Sequence, residues 1–157
     1  MLAERARALA RPPAPERDPG AVRQYVVVEV GGHRLAVDAG CVAAVLRGVR
    51  PTPLPGAAPP VTAIVLWRGR LLACLGAGPS GAAPAEAAEG ARLVVLDEGG
   101  AELALLVDAV DELVEVATSD IHPAPAGAAD LPLLGLTSDA LPLLDARTLL
   151  RRHGTAR

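Results

Sequence analysis

The chain has 157 residues, enough for one domain or for two small subdomains that share a core. Half of the residues are apolar (51%), the net charge is −3, and the aromatic residues are Tyr25 and Trp67. Nucleic-acid binding is disfavoured, because it needs a cationic surface and aromatic platforms for the bases.

Membrane and metal binding are also disfavoured. No apolar run reaches the length of about 18 residues that a membrane span needs, and residues 1–11 lack the apolar core of a signal peptide. Cys41 and Cys74 lie far apart and in no metal-ligand spacing, so we expect two reduced thiols in the core. We therefore expect a soluble cytoplasmic protein without direct membrane insertion.

The first 21 residues differ from the rest of the chain. Residues 2–11 could form a short helix, and Pro12, Pro13, Pro15 and Pro19 then exclude regular structure. We expect a disordered N-terminal tail over residues 1–21, with a docking peptide as the alternative.

The first half then follows a strand pattern. Strands are predicted over 25–30 and 33–37 around Gly31-Gly32, because glycine accepts the positive φ of a tight turn. A short apolar run (41–46) and a Pro-rich loop (50–56) follow. Two more strands, 61–67 and 70–75, flank a turn at Arg68-Gly69.

The second half repeats the pattern after residues 76–91, whose Gly, Ala and Pro predict a crossover between the two halves. Residues 145–152 predict a short helix with Asp145 as N-cap, and 153–157 a tail. Turn signals about every 8–12 residues are typical of a sandwich or barrel. Strands are predicted over 92–96, 102–107, 131–137 and 140–144, while 108–116 could be strand or helix by periodicity.

Patterns of catalytic residues are weak. Serines lie in predicted loops without the partners of a nucleophile. The acidic run of Asp108, Asp111, Glu112 and Glu115 is typical of a solvated face. We expect no enzyme activity, cofactor or metal.

One enzyme alternative rests on residues Gly76–Gly81. They fit G-x-G-x-x-G after a strand, and Asp97 follows about 20 residues later, as in dinucleotide-binding proteins. The next stretch, 82–89, has only alanine as apolar residue and is interrupted by Pro84, so it makes a poor helix against a sheet. A nucleotide-dependent enzyme is therefore the disfavoured hypothesis.

The order of features resembles the CheW family over residues 23–152. Ile64 to Gly69 stands where the family usually has Asn-Leu-Arg-Gly, so the Arg-Gly pair is kept and the Asn and Leu are Leu66 and Trp67. Further departures are Ala44, Ala73, Gly76 and Ala77. The other matching segments are 25–30, 35–38, 42–47, 54–56, 105–113, 121–125 and 143–150.

The resemblance implies an all-β fold over residues 22–152: two five-stranded SH3-like barrel subdomains packed side by side, with a short C-terminal helix. It implies a non-catalytic scaffold or adaptor of chemotaxis-type signal transduction. Its partners would be a methyl-accepting chemotaxis receptor, a CheA-like histidine kinase and other CheW-like proteins. A β-barrel interaction module of a pathway unrelated to chemotaxis is the alternative.

The resemblance also implies two contact regions. A receptor groove would be lined by Val42, Val45, Ile64, Leu66 and Arg68, with the arginine anchored by charge-assisted hydrogen bonds. A kinase-facing side would include Val107, Asp108 and Val110.

Overall fold

The computed structural model describes residues 21–56, 60–76, 92–125 and 131–156, which are mostly β-strand. The prediction of an all-β fold with a short C-terminal helix is confirmed for these residues. In chain order the elements are β1 (Val22–Val30), β2 (His33–Asp38), β3 (Val42–Arg47), β4 (Thr52–Pro53), β5 (Val61–Trp67), β6 (Arg70–Gly76), β7 (Arg92–Glu98), β8 (Ala101–Val107), β9 (Ala109–Ala117), β10 (Leu133–Leu136), β11 (Pro142–Leu144), α1 (Ala146–His153) and β12 (Thr155–Ala156).

The strands form two sheets that do not correspond to the two halves of the chain. The five-stranded sheet has the order β10-β11-β2-β1-β9, and so joins the two ends of the chain. The seven-stranded sheet has the order β3-β7-β8-β6-β5-β4, with β12 added to β8. Residues 77–91, part of the predicted crossover, lie outside the described residues, but β6 and β7 on either side belong to the same sheet. One sheet thus has the predicted five strands and the other has seven, and each contains strands from both halves of the chain.

Tight turns connect the antiparallel pairs as predicted. Gly31 and Gly32 both have positive φ, and Val30 pairs with His33 across them. The segment that could be strand or helix is strand β9, which pairs along most of its length with β1. Strand pairing decides between strand and helix here, because the backbone groups of β9 form their hydrogen bonds with β1.

The central strands of the seven-stranded sheet are apolar on both faces. Val94 and Leu96 of β7 belong to the core between the two sheets, whereas Leu93 and Val95 belong to a second core. That second core is built only from strands of this sheet. Among the described residues, the seven-stranded sheet must therefore curve so that the face carrying this second core is folded inward and buried.

Chain connectivity also requires this curvature. β3 and β4 are end strands of the sheet order, yet only residues 48–51 separate them. In a flat sheet, five spacings of about 4.8 Å would place them about 24 Å apart. The connection reaches at most about 18 Å, so the two edges approach each other.

The C-terminal helix closes the core between the sheets. Asp145 is its N-cap, since Oδ1 accepts a hydrogen bond from the Thr148 amide at 3.1 Å. Leu149 and Leu150 are buried in the core between the sheets. The residues predicted as a tail, 153–157, instead include the end of α1 and the strand Thr155–Ala156, which pairs with Ala101 and Glu102 where β6 no longer covers β8.

Candidate docking surface

The residues predicted for the receptor groove occupy two separate strands and a turn. Val42 and Val45 lie on β3, Ile64 and Leu66 on β5, and Arg68 in the turn after β5. β3 is one end of the sheet order and β5 is next to the other end. The side chains of Val45 and Leu66 are 42% and 65% exposed, while Val42 and Ile64 are half-buried.

The outer face of β5 and β6 carries an exposed apolar pair. Leu66 pairs directly with Leu71, which is 58% exposed, and Ile64 pairs with Ala73 on the same face. The sequence analysis missed Leu71. A signal was present, because a two-residue turn at Arg68-Gly69 pairs residue 67 with 70 and therefore 66 with 71. We call the four residues Ile64, Leu66, Leu71 and Ala73 the β5–β6 face.

Arg68 is held in an unusual conformation beside this face. Its φ is 51° and that of Gly69 is 78°, so both turn residues have the positive φ of a type I′ hairpin. Its guanidinium stacks on the Trp67 ring, 4.6 Å from the centroid. Among the described residues no hydrogen bond joins Arg68 to a carboxylate, and within the chain its guanidinium makes this cation–π contact.

The stretch of chain that contains the β5–β6 face is basic. Between Asp38 and Glu86 the sequence has no acidic residue, while it has arginines at positions 47, 50, 68 and 70. Arg70 is neutralised by Glu102, whose two carboxylate oxygens accept hydrogen bonds from Nε and Nη2 at 2.7 and 3.1 Å. The other three arginines are exposed, so the stretch of chain that contains the face carries excess positive charge.

Glu102 is a second residue that the sequence analysis missed. It is almost completely buried, and its pairing with Arg70 connects the start of β6 to β8. The sequence contains a signal for this pair: Glu102 lies between Ala101 and Leu103 in a strand predicted to be apolar. A carboxylate buried in such a strand needs a partner of opposite charge.

The residues predicted for the kinase-facing side have mainly structural positions. Val107 is 0% exposed in the core between the sheets, so its side chain offers no surface to a partner in this structure. The Asp108 carboxylate accepts a hydrogen bond from the Gly31 amide at 2.7 Å, and its own amide donates to the Glu29 carbonyl at 2.8 Å. Asp108 thus holds the β1–β2 turn against the start of β9. Val110 is half-buried and packs on the same core.

The thiols and the acidic and histidine side chains were the candidates for chemistry among the described residues. They contain no group of three or more His, Cys, Asp or Glu side chains placed to hold a metal ion. Burial raises the pKa of the Cys41 and Cys74 thiols to about 12, which disfavours the reactive thiolate. Gly76 ends β6, and the rest of the candidate nucleotide loop lies outside the described residues. None of the helices that the structure describes has the length and apolar character to cross a membrane.

The fold and this surface define an all-β domain of two packed sheets with an exposed apolar face. The family model of the CheW-like domain matches residues 24–154, and the chain belongs to this family. The resemblance seen in the sequence is thereby confirmed.

A solved structure shares the fold. The chain is similar to the scaffolding protein TtCheW from Thermoanaerobacter tengcongensis, with a TM-score of 0.61 and 19% sequence identity. The match covers 79% of this chain and 88% of that one. The comparison with curated proteins gave no match.

Proposed function

We propose that the protein is a non-catalytic cytoplasmic scaffold that couples a chemoreceptor to a CheA-like histidine kinase, with other CheW-like proteins as further partners. Membership of the CheW-like family supports the scaffold role. The observation that carries the docking part is the β5–β6 face, where Leu66 and Leu71 form an exposed apolar pair. In this proposal each sheet closes into an SH3-like barrel and the receptor binds at the β5–β6 face.

An exposed leucine pair favours the binding of a partner because covering it removes apolar area from water. Two adjacent leucines on a sheet leave apolar area in water, and covering it releases about 25 cal/mol per Å². Contact energy in protein interfaces concentrates in a few central residues surrounded by polar groups. Arg68, fixed on Trp67 at the edge of the face, supplies such a polar group and favours an acidic partner.

Binding measurements with purified partners test the proposal. The probes are the cytoplasmic tip of a chemoreceptor and the regulatory domain of a CheA-like kinase from the same organism, titrated separately by calorimetry. We expect Leu66→Ser and Leu71→Ser each to weaken receptor binding about tenfold, equivalent to about 1.4 kcal/mol. Leu134→Ser, an exposed leucine of β10 in the other sheet, is the matched control and should leave binding unchanged.

The outcomes separate the role from the site. If neither probe binds the unmodified chain, the coupling role is wrong and an interaction module of another pathway is favoured. If the receptor binds but both leucine variants bind as well as the unmodified chain, the role stands and the β5–β6 face is not the site. Loss of binding in Leu134→Ser would place the contact on the five-stranded sheet instead.

A further inference from the structure

The five-stranded sheet carries a second surface, which is a groove. None of the four residues of the β5–β6 face is among its described lining residues. Its volume is about 560 Å³, within the usual range of ligand clefts. One wall is β9, the other is the turn after β10 with the start of β11, and the beginning of β2 also lines it. β9 is an end strand of its sheet, so its outer edge is not covered by another strand of that sheet.

The rim of this groove is acidic. Four carboxylates line it, and Arg34 is the one arginine among its described lining residues. Arg34 is already engaged, because Nη2 lies 2.9 Å from a Glu112 oxygen and Nε lies 3.9 Å from an Asp111 oxygen. The remaining negative charge comes from Glu115, Asp120 and Asp139.

The floor of the groove is apolar. Val114, Val116 and Leu141 line it; Val116 belongs to the core with Tyr25, Ala36 and Leu143, and the other two pack against that core. An apolar floor with an acidic rim fits a segment that alternates small apolar residues with arginine.

The sequence of the chain itself contains such a segment before the first described residue. Residues 2–11 hold Arg5, Arg7 and Arg11 among alanines and leucines, with Glu4 as the one acid. The described chain begins at Ala21, whose carbonyl accepts a hydrogen bond from the Thr118 amide at 2.9 Å, directly after β9. Residues 12–20 connect Arg11 to Ala21, and the ten Cα–Cα steps between these two residues span at most about 36 Å. β9 is about 30 Å long, so the segment can reach any part of the groove.

We propose that residues 2–11 of this chain bind in the groove between β9 and the 137–142 turn as an intramolecular ligand. A short tether gives an effective concentration on the order of 1 mM. A segment with an intrinsic Kd of about 0.1 mM would then fill the groove about ten times as often as it leaves it empty. The segment would compete with any basic partner for the groove, and this role does not depend on the proposed receptor contact.

A spin label in the segment tests the proposal in the full chain. Cys41 and Cys74 are buried, so a nitroxide reagent modifies the introduced thiol of Ala6→Cys selectively, with the unmodified chain as labelling control. We expect strong broadening of the amide signals of Val114, Val116 and Leu141. The broadening should weaken in 0.5 M salt, where the Debye length falls to about 4 Å.

Charge reversal supplies the matched controls. Arg5→Glu, Arg7→Glu and Arg11→Glu together should abolish the broadening, and so should Glu115→Arg with Asp139→Arg. Combining both sets should restore it. Reversal of three arginines elsewhere, Arg47, Arg151 and Arg152, should leave it unchanged.

Three results would overturn the proposal. The first is broadening that is absent or spread evenly over the surface, and the second is broadening confined to another region. The third is broadening of an isotope-labelled chain by a separate spin-labelled chain, because the occupant would then be the segment of a second copy.

Discussion

Replacement of Val107 by alanine tests whether the end of β8 belongs to the core or to a contact surface. The side chain is fully buried between the two sheets. Removing two methyl groups loses about 1.6 kcal/mol of transfer free energy. A cavity of about 50 Å³ adds about 1 kcal/mol if the neighbours do not relax. We therefore expect the free energy of unfolding to fall by about 2–3 kcal/mol.

Urea unfolding measures this change. With a slope of about 2 kcal/mol per M, the midpoint should fall by about 1–1.5 M. Val45→Ala makes the same chemical change at an exposed position of β3 and should cost less than about 0.5 kcal/mol. Under native conditions Val107→Ala should bind the kinase domain as the unmodified chain does. An unchanged midpoint together with tenfold weaker kinase binding would refute the assignment of Val107 to the core.

Three further predictions concern a glycine, a strained arginine and the thiols. A Cβ added at Gly135 would lie 2.3 Å from the His122 carbonyl oxygen, so Gly135→Ala should lower the melting temperature by several degrees, whereas Gly40→Ala should change it little. Arg68→Asn places a residue that tolerates positive φ in the turn, so chemical unfolding should show unchanged or slightly higher stability while receptor binding weakens. Burial raises the pKa of Cys41 and Cys74 from 9.0 to about 12, so above pH 9 the unfolded chain releases protons that the folded chain keeps. Stability should therefore fall as pH rises from 9 to 12, and the slope should flatten in the variant with both cysteines changed to alanine.

Local structure could be predicted from the sequence because its causes are local. The Gly31-Gly32 turn follows from the positive φ that glycine accepts, and the strands on either side follow from β-branched residues. The start of α1 follows from the capping chemistry of Asp145. These features need no knowledge of the rest of the chain.

The pairing of distant strands could not be predicted in the same way. β9 pairs with β1 across about ninety residues of sequence, and β11 runs parallel to β2. Neither contact leaves a local signal, because an apolar strand pairs equally well with several neighbours. The sequence predicts only a crossover between two halves, whereas the structure shows that the ends of the chain share one sheet.

The candidate site shows the same limit. The exposure of Leu66 could not be read from an apolar run, yet its partner Leu71 follows from the turn between them. Val107 and Asp108 are adjacent, but Val107 is buried whereas the Asp108 carboxylate accepts a hydrogen bond from the Gly31 amide. Val107 is the last residue of β8 and Asp108 follows the strand. The position at which β8 ends depends on the assembled core and could not be predicted from the local sequence.

Stability and docking are separable on β5 and β6 but not on β8. Alternate residues of β5 and β6, such as Val65 and Leu72, face the core, and this leaves Leu66 and Leu71 in water. Substitution of an exposed leucine removes little buried area, so the unfolding free energies of Leu66→Ser and Leu71→Ser should stay within about 0.5 kcal/mol of the unmodified chain. On β8, by contrast, Leu105 and Leu106 belong to the cores on opposite faces of the sheet, so a substitution that removes apolar volume there lowers the stability of the fold. A loss of binding in the β5–β6 variants therefore indicates that a surface contact was removed. The same loss in a β8 variant indicates that the core beneath the surface was disturbed.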